Sequence, residues 1–315
     1  MSDLYVYAIP LRTPFRDIDV REGVLISGPA GWGEFSPFRE YDDAEAASWW
    51  RAAREAADDG WPPPVRTRVP VNATVPAVAP EDVAEVLSRF QGCTTAKVKV
   101  AAGRQSPAQD EDRLRAVRDE LGPGGRIRVD ANGAWDVESA TSLLPRYDRA
   151  AGGLEYAEQP CRTIEELAAL RRKLDIPIAA DESIRRTGDP LRVASHDAAD
   201  VAVLKVQPLG GVRACLRIAE QIGLPVVVSS ALETSVGIAA GVALAAALPE
   251  LPYACGLATV GLLAHDVVDD PLVAVDGALP VRRPIPSGTK LAAVRADEPA
   301  STWWSARISR VRQRS

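Results

Sequence analysis

The sequence predicts an α/β fold: a (β/α)7β TIM-like barrel with an α+β N-terminal capping domain that the C-terminal segment completes. Three observations carry that expectation. β-Branched runs recur from about residue 70 at roughly 25 to 30 residues per unit, the length a parallel strand needs for its crossover back along the sheet. Segments rich in Ala, Leu, Glu and Arg separate these runs, with apolar residues three and four apart. The residues before the first run have a different texture, with short alternating stretches and a single helical one.

Residues 1–68 read as the first part of the capping domain. VYAIPL, REGVLISG and GWGEFSPF suggest strands of a small antiparallel sheet, DAEAASWWRAAREAADDG suggests a helix, and Pro62 to Pro64 a stiff connector. The barrel is expected over 69–261, with eight strands at 71–77, 96–100, 126–132, 153–160, 177–183, 201–208, 225–233 and 253–259. SPAQDEDRLRAVRDEL, TIEELAALRRKL and GVRACLRIAEQIG lie between them as helices. The last run leads into PLVAVDGALPVRRP, which is no further helix, so residues 262–315 are expected to return to the capping domain.

A hydrophobic content of 46%, 25% charged residues and a net charge of -6 suit a globular protein without a basic surface for nucleic acid. No apolar stretch is long enough to span a bilayer and the opening residues lack the pattern of a signal peptide, so a cytoplasmic protein with no membrane partner is expected, with a monomer favoured. Cys93, Cys161, Cys215 and Cys255 are scattered with no CxxC pair, which suggests apolar fillers rather than disulfides or a thiolate centre. His196 and His265 adjoin no nucleophile motif, which argues against a Ser-His-Asp hydrolase and a zinc-histidine site.

The chemistry is expected at strand ends. Asp130 in RIRVDANGAW, Glu158 in GLEYAEQP and Asp181 in IPIAADES each stand where an apolar run stops, and Lys99 and Lys205 end two others. In a closed barrel those carboxyl ends share one mouth, so residues far apart in the chain meet there. Any one such acid can equally be a helix cap or a loop ion pair. Three at successive units would repel unless a cation neutralised them, and oxygen ligands without His or Cys favour Mg²⁺, with Mn²⁺ as a substitute. A lysine partly desolvated beside a cation loses proton affinity and becomes a base near neutral pH, suited to removing a weakly acidic proton next to a carboxylate. The expected partner is therefore a small-molecule carboxylate.

KVKV, VDANGAW, AEQP, ADES and LKVQPLGGV, in this order, resemble the muconate-lactonizing branch of the enolase superfamily. IPLRTPF, REGVLI, GWGEFSPF and SSALETSVG are most similar to the o-succinylbenzoate synthases of the actinobacterial type. The resemblance implies that Asp130, Glu158 and Asp181 bind the metal, that Lys99 is the acid/base, and that Lys205 stabilises an enediolate from across the substrate. It implies a syn-dehydration in menaquinone biosynthesis, in which one lysine removes the proton and then protonates the departing hydroxide.

Other positions complete the expected site. Strand alternation puts Lys97 on the side of Lys99, and Arg128 on that of Asp130, as candidate substrate contacts or internal ion pairs. Asn132 and Glu182 are expected to orient the ligands. Ser229, Ser230 and Gly256 offer hydroxyl and N–H donors to the succinyl group, while Thr13, Phe15 and Arg16 in the 13–22 loop are placed to close over the mouth. Two other readings stand beside the lyase. An N-succinylamino acid racemase or related epimerase uses the same metal and both lysines, and a bifunctional protein would share the intermediate. A non-catalytic barrel serving as a binding protein is disfavoured because all five polar strand-end residues are present.

Overall fold

Two long antiparallel strands, β1 (Leu4–Phe15) and β2 (Ile18–Gly28), open the chain, and β3 (Gly31–Phe35) pairs with β2. These coordinates are a computed structural model that describes residues 4–16, 18–103, 105–186 and 188–314. Strand alternation buries Val24, Ile26 and Phe35 on the face toward α1 (Asp43–Arg54), which Asp42 caps by accepting from the Glu45 N–H, and Tyr7, Ile9 and Leu25 on the opposite face. Gly33 is required where β3 meets this helix: a Cβ there would lie 2.0 Å from the Ala53 carbonyl oxygen.

β4 (Arg68–Pro70) leads into the barrel. Parallel strands β5 (Ala73–Val75), β6 (Thr95–Lys99), β7 (Arg126–Asp130), β8 (Leu154–Glu158), β9 (Ile178–Ala180), β10 (Val201–Lys205) and β11 (Val226–Ser229) neighbour one another in chain order. The crossovers carry α2 (Val83–Ser88), α3 (Pro107–Leu121), α4 (Val137–Ala151), α5 (Ile164–Arg171), the short α6 (Glu182–Arg185) and α7 (Arg192–Ser195), α8 (Val206–Leu209), α9 (Val212–Ile222) and α10 (Ser235–Ala247). Local chemistry starts several of them: Ser106 with Gln109, and Thr163 with Glu166, form reciprocal capping boxes.

The run expected as an eighth strand at 253–259 is reduced to two bridges, Val71 with Cys255 and Ser229 with Gly256. They nonetheless join β11 back to the start of the sheet: the Cys255 N–H donates to Pro70 O and the Gly256 N–H to Val228 O. Close approach explains the glycine at this point, since a Cβ on residue 256 would lie 2.6 Å from Ser229 Oγ.

Side chains alternate across the sheet. Ile127, Val129, Ala180, Leu204 and Val228 face the helices in the main core, whereas Tyr156, Ala179, Val201, Val203 and Val227 form a separate cluster inside the barrel. Each fully buried aliphatic side chain in these layers contributes about 1.5–3 kcal/mol. After the barrel, β12 (Ala278–Pro280) pairs with β4, and α11 (Gly288–Ala293) and α12 (Glu298–Arg312) follow. Trp304 of α12 meets Phe35 edge to face, and the Arg307 guanidinium donates to the carbonyls of Phe38 and Tyr41, so the last helix packs on the first domain. Among the described residues no helix is long and apolar enough to cross a membrane.

Candidate active site

Inward-facing positions on neighbouring strands bring the expected strand-end residues together. Register pairs Lys97 with Arg128 and Lys99 with Asp130, then Asp130 with Glu158, and on the far side Lys205 with Ser229 and Ser229 with Gly256. β6 and β10 lie four positions apart in the ring, which sets Lys99 and Lys205 across the cavity from each other. Lys97, Lys99, Asn132, Lys205, Ser229, Ser230 and Gly256 all line that cavity, together with Phe15 and Arg16 from the turn between β1 and β2.

Contacts among the charges are close. Lys99 Nζ donates to Asp130 Oδ2 at 2.5 Å and to Asn132 Oδ1 at 2.8 Å. Lys97 Nζ lies 2.7 Å from Glu158 Oε1 and 3.4 Å from Asp130 Oδ2. Lys205 Nζ donates to Asp181 Oδ2 at 2.6 Å, and Arg185 Nε to Asp181 Oδ1 at 3.0 Å. Asn132 Nδ2 reaches Glu182 Oε1 at 3.2 Å, which also accepts from Arg185 Nη2 at 2.6 Å. The three acids are each at most 1% exposed.

Burial without enough compensation shapes the electrostatics. Burial pushes the Glu158 carboxyl up to about 7, where attraction to Lys97 is offset by repulsion from Asp130 and Asp181. For Asp130, burial is outweighed by Lys99 and Lys97, which hold it well below the usual carboxylate range; Lys205 and Arg185 do the same for Asp181. The two lysines of β6 diverge. Burial holds the Lys99 amine below its ordinary value despite Asp130, whereas Glu158 and Asp130 overcome burial and raise Lys97. Lys99 is thus the one disposed to give up its proton, and Lys97 is a counter-ion shared by two carboxylates.

Two candidate contacts stand away from the cavity lining, and for Arg128 the internal ion pair is the alternative found. Arg128 shares a face with Asp130 but stands one inward layer deeper, where Nε meets Glu155 Oε2 at 2.5 Å and Nη1 meets Asn72 Oδ1 and the Ala254 carbonyl. It is not among the residues lining the cavity, because its guanidinium is turned to Glu155, Asn72 and the Ala254 carbonyl. Thr13 is likewise absent from the lining, being two residues back along β1 from Phe15. The 13–22 segment is mostly a hairpin, with Phe15 paired to Ile18; residue 17 lies outside the described residues.

Several wall residues carried no sequence signal. Thr74, Phe38, Leu232 and Thr259 line the cavity, with Thr259 Oγ1 2.8 Å from Ser230 Oγ. Arg16 stacks on one side of Phe38 at 4.3 Å, and Arg21, which is buried, lies 4.4 Å from the same ring. Arg21 also donates to the carbonyls of Leu232 and Ala231, and Glu34 accepts from the Thr234 and Gly237 N–H groups at the start of α10. The first domain therefore holds the loop that follows β11. Arg185 had a readable cue: it is four residues after Asp181, the spacing that joins side chains along a helix.

The donor set suits a hard divalent cation, being carboxylate oxygen alone with no nearby imidazole or thiolate. Among the described residues no three such side chains already stand together as a chelating group. Ammonium groups occupy their oxygens instead, as uncompensated buried carboxylates require. Glu158 is raised first by burial and then by its acidic neighbours Asp130 and Asp181, against the pull of Lys97.

Known proteins resemble the chain over nearly its whole length. The enolase C-terminal domain-like family matches residues 81–288, and the enolase N-terminal domain-like family residues 6–57. The chain is 64% identical to the o-succinylbenzoate synthase of Thermobifida fusca (strain YX), over 97% of this chain and 95% of that one. It is 56% identical to the o-succinylbenzoate synthase of Mycolicibacterium smegmatis, over 98% and 94% of the two chains. The muconate lactonizing enzyme of Pseudomonas fluorescens superposes with a TM-score of 0.76 at 23% identity, covering 96% of this chain and 98% of that one, which shows the shared fold. The chain belongs to the enolase superfamily and, within it, to the family of the o-succinylbenzoate synthases.

Proposed function

We propose that this chain is a lyase that converts 2-succinyl-6-hydroxy-2,4-cyclohexadiene-1-carboxylate to 2-succinylbenzoate, as an o-succinylbenzoate synthase of menaquinone biosynthesis in the cytoplasm. The observation that carries the reading is the placement of Lys99: a half-buried amine bonded to Asp130 and Asn132 that lines the cavity across from Lys205. Superfamily members generally use a divalent metal, and Mg²⁺ held by Asp130, Glu158 and Asp181, with Mn²⁺ able to replace it, would supply positive charge to the substrate carboxylate.

The side chains then divide the work. Lys99 Nζ, steered by Asn132 Oδ1, removes the proton from the ring carbon that bears the carboxylate. The electron pair moves into that carboxylate as an enediolate, next to the ammonium of Lys205. When the pair returns, the neighbouring C–O bond breaks, and the Lys99 ammonium protonates the departing hydroxide on the same face. Water and an aromatic ring result, and Lys99 is again a free amine. Ser229, Ser230 and Gly256, beside Lys205, are placed to receive the succinyl arm, and Phe15 and Arg16 to cover the mouth.

Incubation with the cyclohexadiene substrate, followed by the absorbance of the aromatic product, tests this. Rapid turnover that stops on chelation of divalent metal and returns with Mg²⁺ is expected; turnover indifferent to chelation would overturn the scheme. Because Lys99 and Lys205 face each other, racemisation of N-succinyl amino acids is the second reading, and exchange of their α-proton with deuterated solvent without dehydration would make it the first.

A further inference from the structure

The donors that hold the carboxylates are of two kinds. Lys99 and Lys205 end in single ammonium groups on four-carbon stems that line the cavity, so they can swing when a cation enters and repels them. Two other donors cannot. The backbone N–H of Asn132 holds Asp130 Oδ1 at 3.1 Å, and the Arg185 guanidinium holds Asp181 Oδ1 at 3.0 Å.

Arg185 is anchored on every side. Its side chain is 3% exposed, Nη2 donates to Glu182 Oε1 at 2.6 Å, and Nη1 donates to the Tyr41 hydroxyl at 3.0 Å. Tyr41 comes from the first domain, and its hydroxyl also accepts from Arg16 at 3.3 Å. Withdrawing the guanidinium would break three bonds to buried or charged partners, whereas withdrawing Lys205 breaks one to Asp181. When Lys205 yields, Asp181 is left with Oδ2 alone to offer, and when Lys99 and Lys97 yield, Asp130 likewise has Oδ2 alone.

A carboxylate with one available oxygen suits one class of cation better than another. Mg²⁺ takes about six ligands in strict octahedral order and accepts single oxygens, while Ca²⁺ takes roughly six to eight and uses two-oxygen carboxylates freely. We propose that Arg185 is a positioning residue for cation selectivity: it withholds one oxygen of Asp181 and so favours Mg²⁺ over Ca²⁺. This rests on the reading of Asp130, Glu158 and Asp181 as the cation ligands. Removing the arginine charge would strengthen binding of both divalent ions alike, so the ratio of the two affinities isolates the effect of the freed oxygen.

The test is calorimetric titration of chelator-stripped, full-length protein with MgCl2 and with CaCl2, without substrate. Arg185→Met is expected to move the affinity ratio toward Ca²⁺ by about tenfold or more relative to the unsubstituted protein. Arg185→Lys and Tyr41→Phe, which keep a charge at the site, are expected to move it the same way by about threefold, and they carry the test if Arg185→Met does not fold. A ratio that stays within about twofold across all folded variants would overturn the role of Arg185 while leaving the cation site intact. Failure of the unsubstituted protein to bind either ion would overturn the cation site itself, and the inference with it.

Discussion

The two ends of the barrel interior use the same strands to opposite effect. Toward the amino ends of β7 and β8, Arg128 pairs with Glu155, stacks on Tyr156 at 4.7 Å and on Tyr253 at 5.8 Å, and donates to Asn72 and Ala254. Arg126 also reaches Glu155, so that carboxylate is paired twice. At the carboxyl ends, three lysines line one cavity and bond to three buried carboxylates that stand behind its lining; one acid is raised to about 7 and one amine is lowered. At the deep end Glu155 is held by two arginines, although Arg128 Nη2 is buried without a partner, whereas at the mouth the ion pairs stand beside a cavity. The difference separates charges packed inside the barrel from charges that a bound molecule can reach, as functional sites require.

The largest expected effect breaks the comparison at the mouth. Lys99→Ala should lower kcat for dehydration by on the order of 10³-fold or more, because it removes the only group assigned to move the proton. Its unfolding temperature should fall modestly, since buried Asp130 loses its nearest cation and keeps only Lys97 at 3.4 Å. Steady-state kinetics and thermal unfolding on one preparation would check both. Turnover within tenfold of the original would sink the assignment of Lys99 as base.

Arg128→Met probes the deep end and should do the reverse. Removing a fully buried guanidinium leaves Glu155 with Arg126 alone and opens the stack on Tyr156, at a cost of about 2–4 kcal/mol in urea unfolding. The kcat of the folded fraction should change by less than about threefold, because no cavity residue is touched. A kcat loss comparable to that of Lys99→Ala would mean that the two ends are not separable.

How much of this was legible in the chain depends on which residues share an element. Asp130, Glu158, Asp181, Lys99 and Lys205 could be placed because strand ends in a parallel barrel converge whatever the loops do. Alternation gave Arg128 its face but not its depth, since parity has no sense of distance along the strand. The eighth strand looked as long as the others, but the chain there makes two isolated bridges, one on each side. Contacts between Tyr41 and Arg185, or between Glu34 and the start of α10, join residues 144 and 200 or more positions apart, and nothing local announces them.

Glu233 is the hardest case for the comparison, because it is a buried acid raised to about 7 that belongs neither to the deep end nor to the ligand set. It lies where the first domain meets the loop after β11, accepts from the Ala231 N–H at 2.7 Å and from Gln207 Nε2 at 3.4 Å, and is raised first by burial and then by Glu34, against the pull of Arg21. A carboxyl with its folded pKa above its unfolded value binds its proton more tightly in the native state. It therefore costs nothing below the unfolded value of about 4.5, and its penalty grows as pH rises from there to about 7. Glu233→Gln, which keeps the shape and cannot ionise, should leave stability at low pH nearly unchanged and gain about 1–2 kcal/mol relative to the unsubstituted protein by pH 7.5. Denaturant unfolding across pH 4 to 8, in the presence of saturating Mg²⁺ so that the ligand carboxylates do not titrate, measures the difference. A gain of this sign would mean that unmatched charge extends from the mouth into the joint that positions its wall; a flat difference would confine it to the cation and substrate cavity.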